Sequence, residues 1–249
     1  MKAVLLGSGG WIPTATRETC CLYLRKGSDV LFLDAGTGLR HAVEQQDLLA
    51  GAGSVHILLS HFHLDHVVGL GYLPALQLPE KVLLWGPGQS LYGDSTRAIL
   101  ARLLDPPFFT AGVDALATDV AELAEGTNEC GAFAVLARRQ SRHSEPTFAF
   151  RVDDQVVYCS DTAADDENAV FAKGCSILFH EAWTAEGTRN ADIHTSARQA
   201  GRIARRAEVD RLVLVHVNPL PTEGSLEAAA RAEFECAIVG NDLLAIEVG

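Results

Sequence analysis

Eleven apolar runs of four to six residues punctuate the 249-residue chain and alternate with helical patterns throughout. The runs Lys2–Leu6, Thr19–Leu24, Val30–Leu33, Val55–Leu59, Lys81–Trp85, Phe133–Ala137, Thr147–Val152, Gln155–Cys159, Ser176–Phe179, Arg211–Val215 and Leu243–Glu247 read as strands. Helices are expected near Gly38–Gln46, Val67–Leu73, Gln89–Leu103, Asp165–Ala172, Thr195–Ala207 and Leu226–Ala237. Asp153-Asp154, between two alternating runs, predicts a tight hairpin turn. A chain of this length can bury a sizeable core as one domain, 1–249, and no repeat, low-complexity tract or Ser/Gly linker divides it. The irregular stretch Asp105–Thr110 has prolines that break a helix and two phenylalanines that want burial or a ligand; a packed connection is favoured over a substrate loop.

Composition narrows the function classes. A hydrophobic share of 48% and a charged share of 21% fit a globular protein, and no apolar stretch is long enough to span a bilayer. The start is too short before its glycines for a secretory signal. Six cysteines, at 20, 21, 130, 159, 175 and 236, show no C-x-x-C spacing. They suggest a reducing compartment, the cytoplasm by default, and argue against a Cys-based zinc site. The formal charge of −12 leaves no basic stripe for gripping a large nucleic acid. The nearest candidate, Arg202 to Arg206, alternates with apolar residues as a solvated helix face does.

The segment His61-Phe62-His63-Leu64-Asp65-His66 concentrates three imidazoles and a carboxylate directly after an apolar run. Neutral imidazole and carboxylate are good ligands for zinc and related divalent ions. On extended chain His61 and His63 point to one side, and Asp65 and His66 fall where the chain turns into a helix. A merely histidine-rich loop is the bland alternative. Further donors sit after later strands: His143, Asp161 after Val156–Ser160, and His216 after Leu212–Val215. Each alone reads as an ordinary capping residue, but layered folds place reactive groups at strand ends.

That order, with Ser60-His61-Phe62-His63-Leu64-Asp65-His66, resembles the metallo-β-lactamase superfamily over essentially the whole chain. The resemblance implies a four-layer αββα sandwich of two mixed sheets, an α/β fold with a dinuclear metal site at one edge. His61, His63 and His143 would hold one ion, Asp65, His66 and His216 the other, and Asp161 would bridge them. Zinc is favoured, with manganese, iron and nickel open because His/Asp composition does not separate them.

Gly7-Ser8-Gly9-Gly10, Asp34-Ala35-Gly36-Thr37-Gly38, His180-Glu181-Ala182 and His194 look like the ribonuclease Z-like phosphodiesterase branch. By that resemblance His194 would contact a phosphate oxygen or protonate the leaving group, with Glu181 orienting it. The alternatives are a strand-end carboxylate and part of a helix cap. Asp34 either supports the loop of His61–His66 or caps the helix after Gly38, and His41, His56 and His180 have no assigned role. Glycines 7, 9 and 10 would let backbone approach the substrate or merely form a turn.

Two departures argue against processing of a large RNA. Only 17 residues separate His143 from Asp161, leaving no room for a long basic arm, and His216-Val217-Asn218-Pro219 lacks the Ser-x-Arg-Tyr run typical of ribonuclease Z. The expected activity is hydrolysis of a small or cyclic phosphodiester through a hydroxide shared by two ions, with Asp65 orienting that water or accepting its proton. A thioester, lactone or β-lactam hydrolase and a non-enzymatic metal or cofactor carrier stay open as rivals. No membrane partner is expected, and the resemblance admits a homodimer.

Overall fold

Most of the strand-forming runs are buried on both faces, and successive residues feed different apolar layers. In β2, Leu22 and Leu24 pack into the layer between the sheets while Cys21 and Tyr23 pack into the layer outside, as a period of two requires. The computed structural model describes residues 1–110, 112–187, 190–220 and 223–249. Among them the strands run, in chain order, β1 (Lys2–Gly7), β2 (Cys21–Lys26), β3 (Asp29–Leu33), β4 (Ser54–Leu58), β5 (Lys81–Gly86), β6 (Asp119–Glu122), β7 (Gly126–Cys130), β8 (Phe133–Gln140), β9 (Thr147–Val152), β10 (Val156–Cys159), β11 (Ile177–Glu181), β12 (Arg211–Val215), β13 (Ala237–Val239) and β14 (Leu244–Glu247). The helices are α1 (Arg40–Glu44), α2 (Leu64–Val67), α3 (Thr96–Leu104), α4 (Asp166–Phe171), α5 (Ala197–Ala207) and α6 (Leu226–Arg231).

Two seven-stranded sheets result, ordered β14-β1-β2-β3-β4-β5-β6 and β13-β12-β11-β10-β9-β8-β7. The first has three antiparallel pairings followed by three parallel ones, and the second, read from β7 to β13, has the same succession. The sequence shows no such repeat. Leu22, Leu31, Phe133, Phe148, Phe150 and Phe179 fill the space between the sheets. Helices cover both outer faces, with Leu100 and Leu104 of α3 on the first and Ala200, Ile203 and Ala204 of α5 on the second. This is the four-layer αββα sandwich.

Several expected elements differ. The helix expected over Gln89–Leu103 is broken at Gly93, whose φ of 71° is left-handed, and restarts at α3 behind the Ser95 cap. That expected near Val67 begins earlier, at Leu64, and continues as 3₁₀ turns to Ala75. α6 stops at Arg231, and Ala237 belongs to a strand instead. Phe109 packs against the first core, partly buried, whereas Phe108 is exposed. Asp153 and Asp154 both have positive φ, the backbone of a tight hairpin between β9 and β10.

α5 carries a Ser196/Gln199 capping box, and its arginines are occupied by acids: Arg198, Arg202 and Arg205 on Glu233, and Arg206 on Asp166. The cysteines are free and all but Cys236 are buried. No helix among the described residues is long and apolar enough to cross a membrane.

Candidate metal centre

The donors gather where parallel strands end. Asp34 follows β3, Ser60 and His61 lie just past β4, Asp161 lies just past β10, Glu181 ends β11 and His216 follows β12. Asp34, Asp161 and His216 all adopt left-handed backbone, with φ of 60°, 48° and 49°. Such conformations cost side-chain-bearing residues about 1–3 kcal/mol and persist where the surroundings hold them. The topology thus carries donors of both sheets to one edge.

There the seven residues named from the sequence converge. Candidate ligand atoms of His61, His63, His143 and Asp161 lie within 4.8 Å of one another, as do those of Asp65, His66 and His216. Asp161 stands between the groups. Its Oδ1 is 3.1 Å from Nε2 of both His66 and His216, while Oδ2 is 3.3 Å from Nε2 of His143 and 3.7 Å from that of His61. Asp65 Oδ2 faces His216 Nε2 at 3.4 Å and His66 Nε2 at 3.5 Å.

Hydrogen bonds fix the rings so that Nε2 remains free. His66 Nδ1 donates to Asp34 Oδ2 (2.8 Å), His143 Nδ1 to the Ile193 carbonyl (2.9 Å) and His61 Nδ1 to Ser60 Oγ (2.9 Å). Nε2 of His61, His66 and His216 is buried with no hydrogen-bond partner among the described residues. An orphaned buried nitrogen costs about 1–3 kcal/mol. Three of them beside two carboxylates are groups that a divalent cation would satisfy.

Electrostatics agree with this. Burial resists a charge on His66, but Asp161, Asp65 and Asp34 outweigh it and raise its pKa well above the ordinary imidazole value. His216 is raised against its own burial by Asp161 and Asp65. Conversely, Asp161 and Asp65 stay ionised despite burial because His216 and His66 hold their pKa values low. His61 is lowered well below the usual value, by burial first and then by its imidazole neighbours.

Asp34 serves the centre rather than a helix. Its carboxylate accepts from Ser60 N (2.7 Å), Ser60 Oγ (2.9 Å), Tyr158 Oη (2.9 Å) and His66 Nδ1, and no side chain caps the turn after Gly36. His194 Nδ1 lies 2.9 Å from Glu181 Oε2, while Glu181 Oε1 accepts from Thr162 N, and Glu181 is fully buried. Ser196, not His194, caps α5.

Sequence reasoning missed two aromatics. Trp183 stacks on His194 at 4.3 Å and 12° and faces His216 at 5.4 Å. Trp11 lines the same cavity of about 330 Å³, with His63, Asp65, His143, His194 and His216. Both are lone aromatics in loops without periodicity; the only signal was position, one two residues beyond Glu181 and one within the glycine-rich loop. The glycines of that loop serve packing: a β-carbon on Gly10 would lie 2.5 Å from the His216 ring, and one on Gly7 would meet the Thr19 carbonyl. His41, His56 and His180 lie outside the cluster, paired with Glu44, Trp85 and the Glu181 carbonyl.

The model of the beta-lactamase superfamily domain matches residues 29–217, which contain every donor just described. The chain belongs to the metallo-β-lactamase superfamily. It lies on the ribonuclease Z-like branch: ribonuclease Z of Mycobacterium sp. (strain KMS) is 28% identical, with 100% of this chain and 96% of that protein covered. Among solved structures, the metallo-β-lactamase fold protein YhfI from Bacillus subtilis superposes with a TM-score of 0.80 at 19% identity, covering 99% of both chains. A diphosphatase from the PhnP family superposes at 0.75 and 15% identity, covering 99% of this chain and 97% of that one. This superfamily fold implies divalent metal ions at the His/Asp clusters.

Proposed function

We propose that the protein is a metal-dependent phosphodiesterase acting on a small or cyclic phosphodiester. One juxtaposition carries this: His194, held through Nδ1 by buried Glu181, lines the same cavity as His63, Asp65, His143, Asp161 and His216. A general acid beside a metal-ligating cluster suits a reaction that must expel an alkoxide. Similarity to ribonuclease Z supports the phosphodiester class, while the tight Asp153-Asp154 hairpin and the paired arginines of α5 weigh against a large RNA.

His61, His63 and His143 would hold one ion and Asp65, His66 and His216 the other, with Asp161 between the two groups contributing to both. Bound there, two divalent ions, zinc before manganese, iron or nickel, supply a water of lowered pKa and neutralise charge on the phosphoryl oxygens. Asp65, whose carboxylate His66 and His216 keep ionised against its burial, would orient the attacking water or accept its proton. His194 would donate its Nε2 proton to the ester oxygen as the bond from phosphorus to that oxygen breaks, and Glu181 holds the ring through Nδ1. Asp34 keeps the His66 ring in register.

The test compares bis(p-nitrophenyl) phosphate with thioester, lactone and β-lactam substrates on zinc- and manganese-loaded protein. Phosphodiester turnover exceeding the others is expected. A carbonyl substrate cleaved far faster overturns the assignment, and metal analysis showing one ion with no open position favours a carrier.

A further inference from the structure

Trp11 is 55% exposed, yet its backbone is held in place beside the cluster. Its φ of 65° lies in the left-handed region, and its backbone N–H donates to Asp65 Oδ2 at 2.7 Å. The loop behind it is tied from the far end of the chain. Asp242 accepts from Ser8 N (2.9 Å), Ser8 Oγ (2.6 Å) and Glu18 N (2.6 Å), and Arg17 reaches Ser8 Oγ, the Gly240 carbonyl and Asn241. The backbone that carries a large flat side chain is therefore fixed at the cavity wall, and more than half of the residue's area is uncovered. Exposed aromatic surface beside a reactive centre is where a ligand ring gains most from stacking.

The rest of the wall says what it would stack on. None of the described lining residues is Lys or Arg, so among them nothing is built for a second phosphate. The volume of about 330 Å³ is at the low end of small-molecule sites, enough for one mononucleotide-sized group.

We propose that Trp11 is the specificity-determining residue of the site, stacking on a flat ring such as a nucleobase in one ester arm of the phosphodiester. It would thereby prefer nucleoside esters to bare sugar or alkyl phosphates. This rests on the phosphodiesterase reading above. Trp11→Ala removes the ring but keeps the backbone N–H that reaches Asp65, so the metal ligand is not disturbed directly.

Calorimetric binding of adenosine 5′-monophosphate and of ribose 5-phosphate to the zinc-loaded protein, wild type, Trp11→Ala and Trp11→Phe, tests it. Tighter binding of the nucleotide by wild type is expected. Trp11→Ala should weaken the nucleotide about 5- to 150-fold, leave ribose 5-phosphate unchanged, and be largely rescued by phenylalanine. Equal binding of the two ligands by wild type, or equal weakening of both in Trp11→Ala, overturns the stacking role. Bis(p-nitrophenyl) phosphate turnover is measured in parallel: its absence overturns the reading underneath, whereas turnover without Trp11-dependent selectivity overturns this inference alone.

Discussion

His194 meets Glu181 through Nδ1 at 2.9 Å, and the carboxylate it meets is fully buried. Removing the imidazole by His194→Ala should lower kcat about 10²- to 10⁴-fold for a phosphodiester with an alkoxide leaving group. The loss should be much smaller for p-nitrophenolate, which departs without a proton. Steady-state kinetics on the two ester types check this, and equal losses would show that His194 does not act as an acid. Glu181→Gln, which keeps a hydrogen-bond acceptor but not the charge, should fall between wild type and His194→Ala.

Gly10 lies against the ring of His216 so closely that an added methyl would sit 2.5 Å from it. Gly10→Ala should push that ring aside, lowering metal occupancy on dialysis and the melting temperature by the equivalent of about 1–3 kcal/mol. Full occupancy with an unchanged melting temperature would show that the loop yields instead.

The Asp34 carboxylate is the common acceptor for Ser60, Tyr158 and His66. Asp34→Ala should weaken metal binding about 10- to 100-fold and destabilise the protein by several kcal/mol, because buried donors lose their acceptor. Tyr158→Phe, removing one of those bonds, should cost only about 1 kcal/mol and leave metal affinity near wild type. Competition with a chelator and chemical denaturation measure the two effects.

Stability of the chelator-treated protein should peak near pH 6.5. Below the unfolded imidazole pKa of about 6.5, His56, His61, His63 and His180, all lowered by burial first, take up protons on unfolding, so stability falls as pH falls. Above it, His66 and His216 are raised, so their contribution is lost as pH climbs through their folded values. Metal loading deprotonates both rings, and the alkaline limb should disappear. Melting temperatures from pH 5.5 to 7.5, with and without metal, decide it, because at higher pH the buried thiols, pushed up by burial, add their own alkaline loss; a decline between pH 6.5 and 7.5 that persists in the loaded protein contradicts the assignment.

Much of the architecture was readable in the chain because strands buried on both faces must be continuously apolar, as most of the eleven anticipated runs were, while β8 alternates between buried and exposed positions. The three others escaped for physical reasons. β6, Asp-Val-Ala-Glu, lies at a sheet edge, and β7, Gly-Thr-Asn-Glu-Cys, lies at the edge of the other, where polar side chains reach solvent. β13 is three residues long and follows an alanine-rich helix whose pattern runs into it. The donors stood out because imidazole and carboxylate at strand ends are chemically conspicuous. Trp11 and Trp183 did not, since stacking on a site built from distant segments leaves no local periodicity. His180 was conspicuous by type yet turns into a buried network with Asn168.

The donor set is divided between the halves of the sandwich: His61, His63, Asp65 and His66 follow a strand of the first sheet, whereas His143, Asp161 and His216 come from loops of the second. Neither half owns a complete centre. Metal affinity is therefore a gauge of how faithfully the two layers are docked, and a mutation deep in their shared interior, far from any ligand, would be felt at the rim as a loosened grip on the cation.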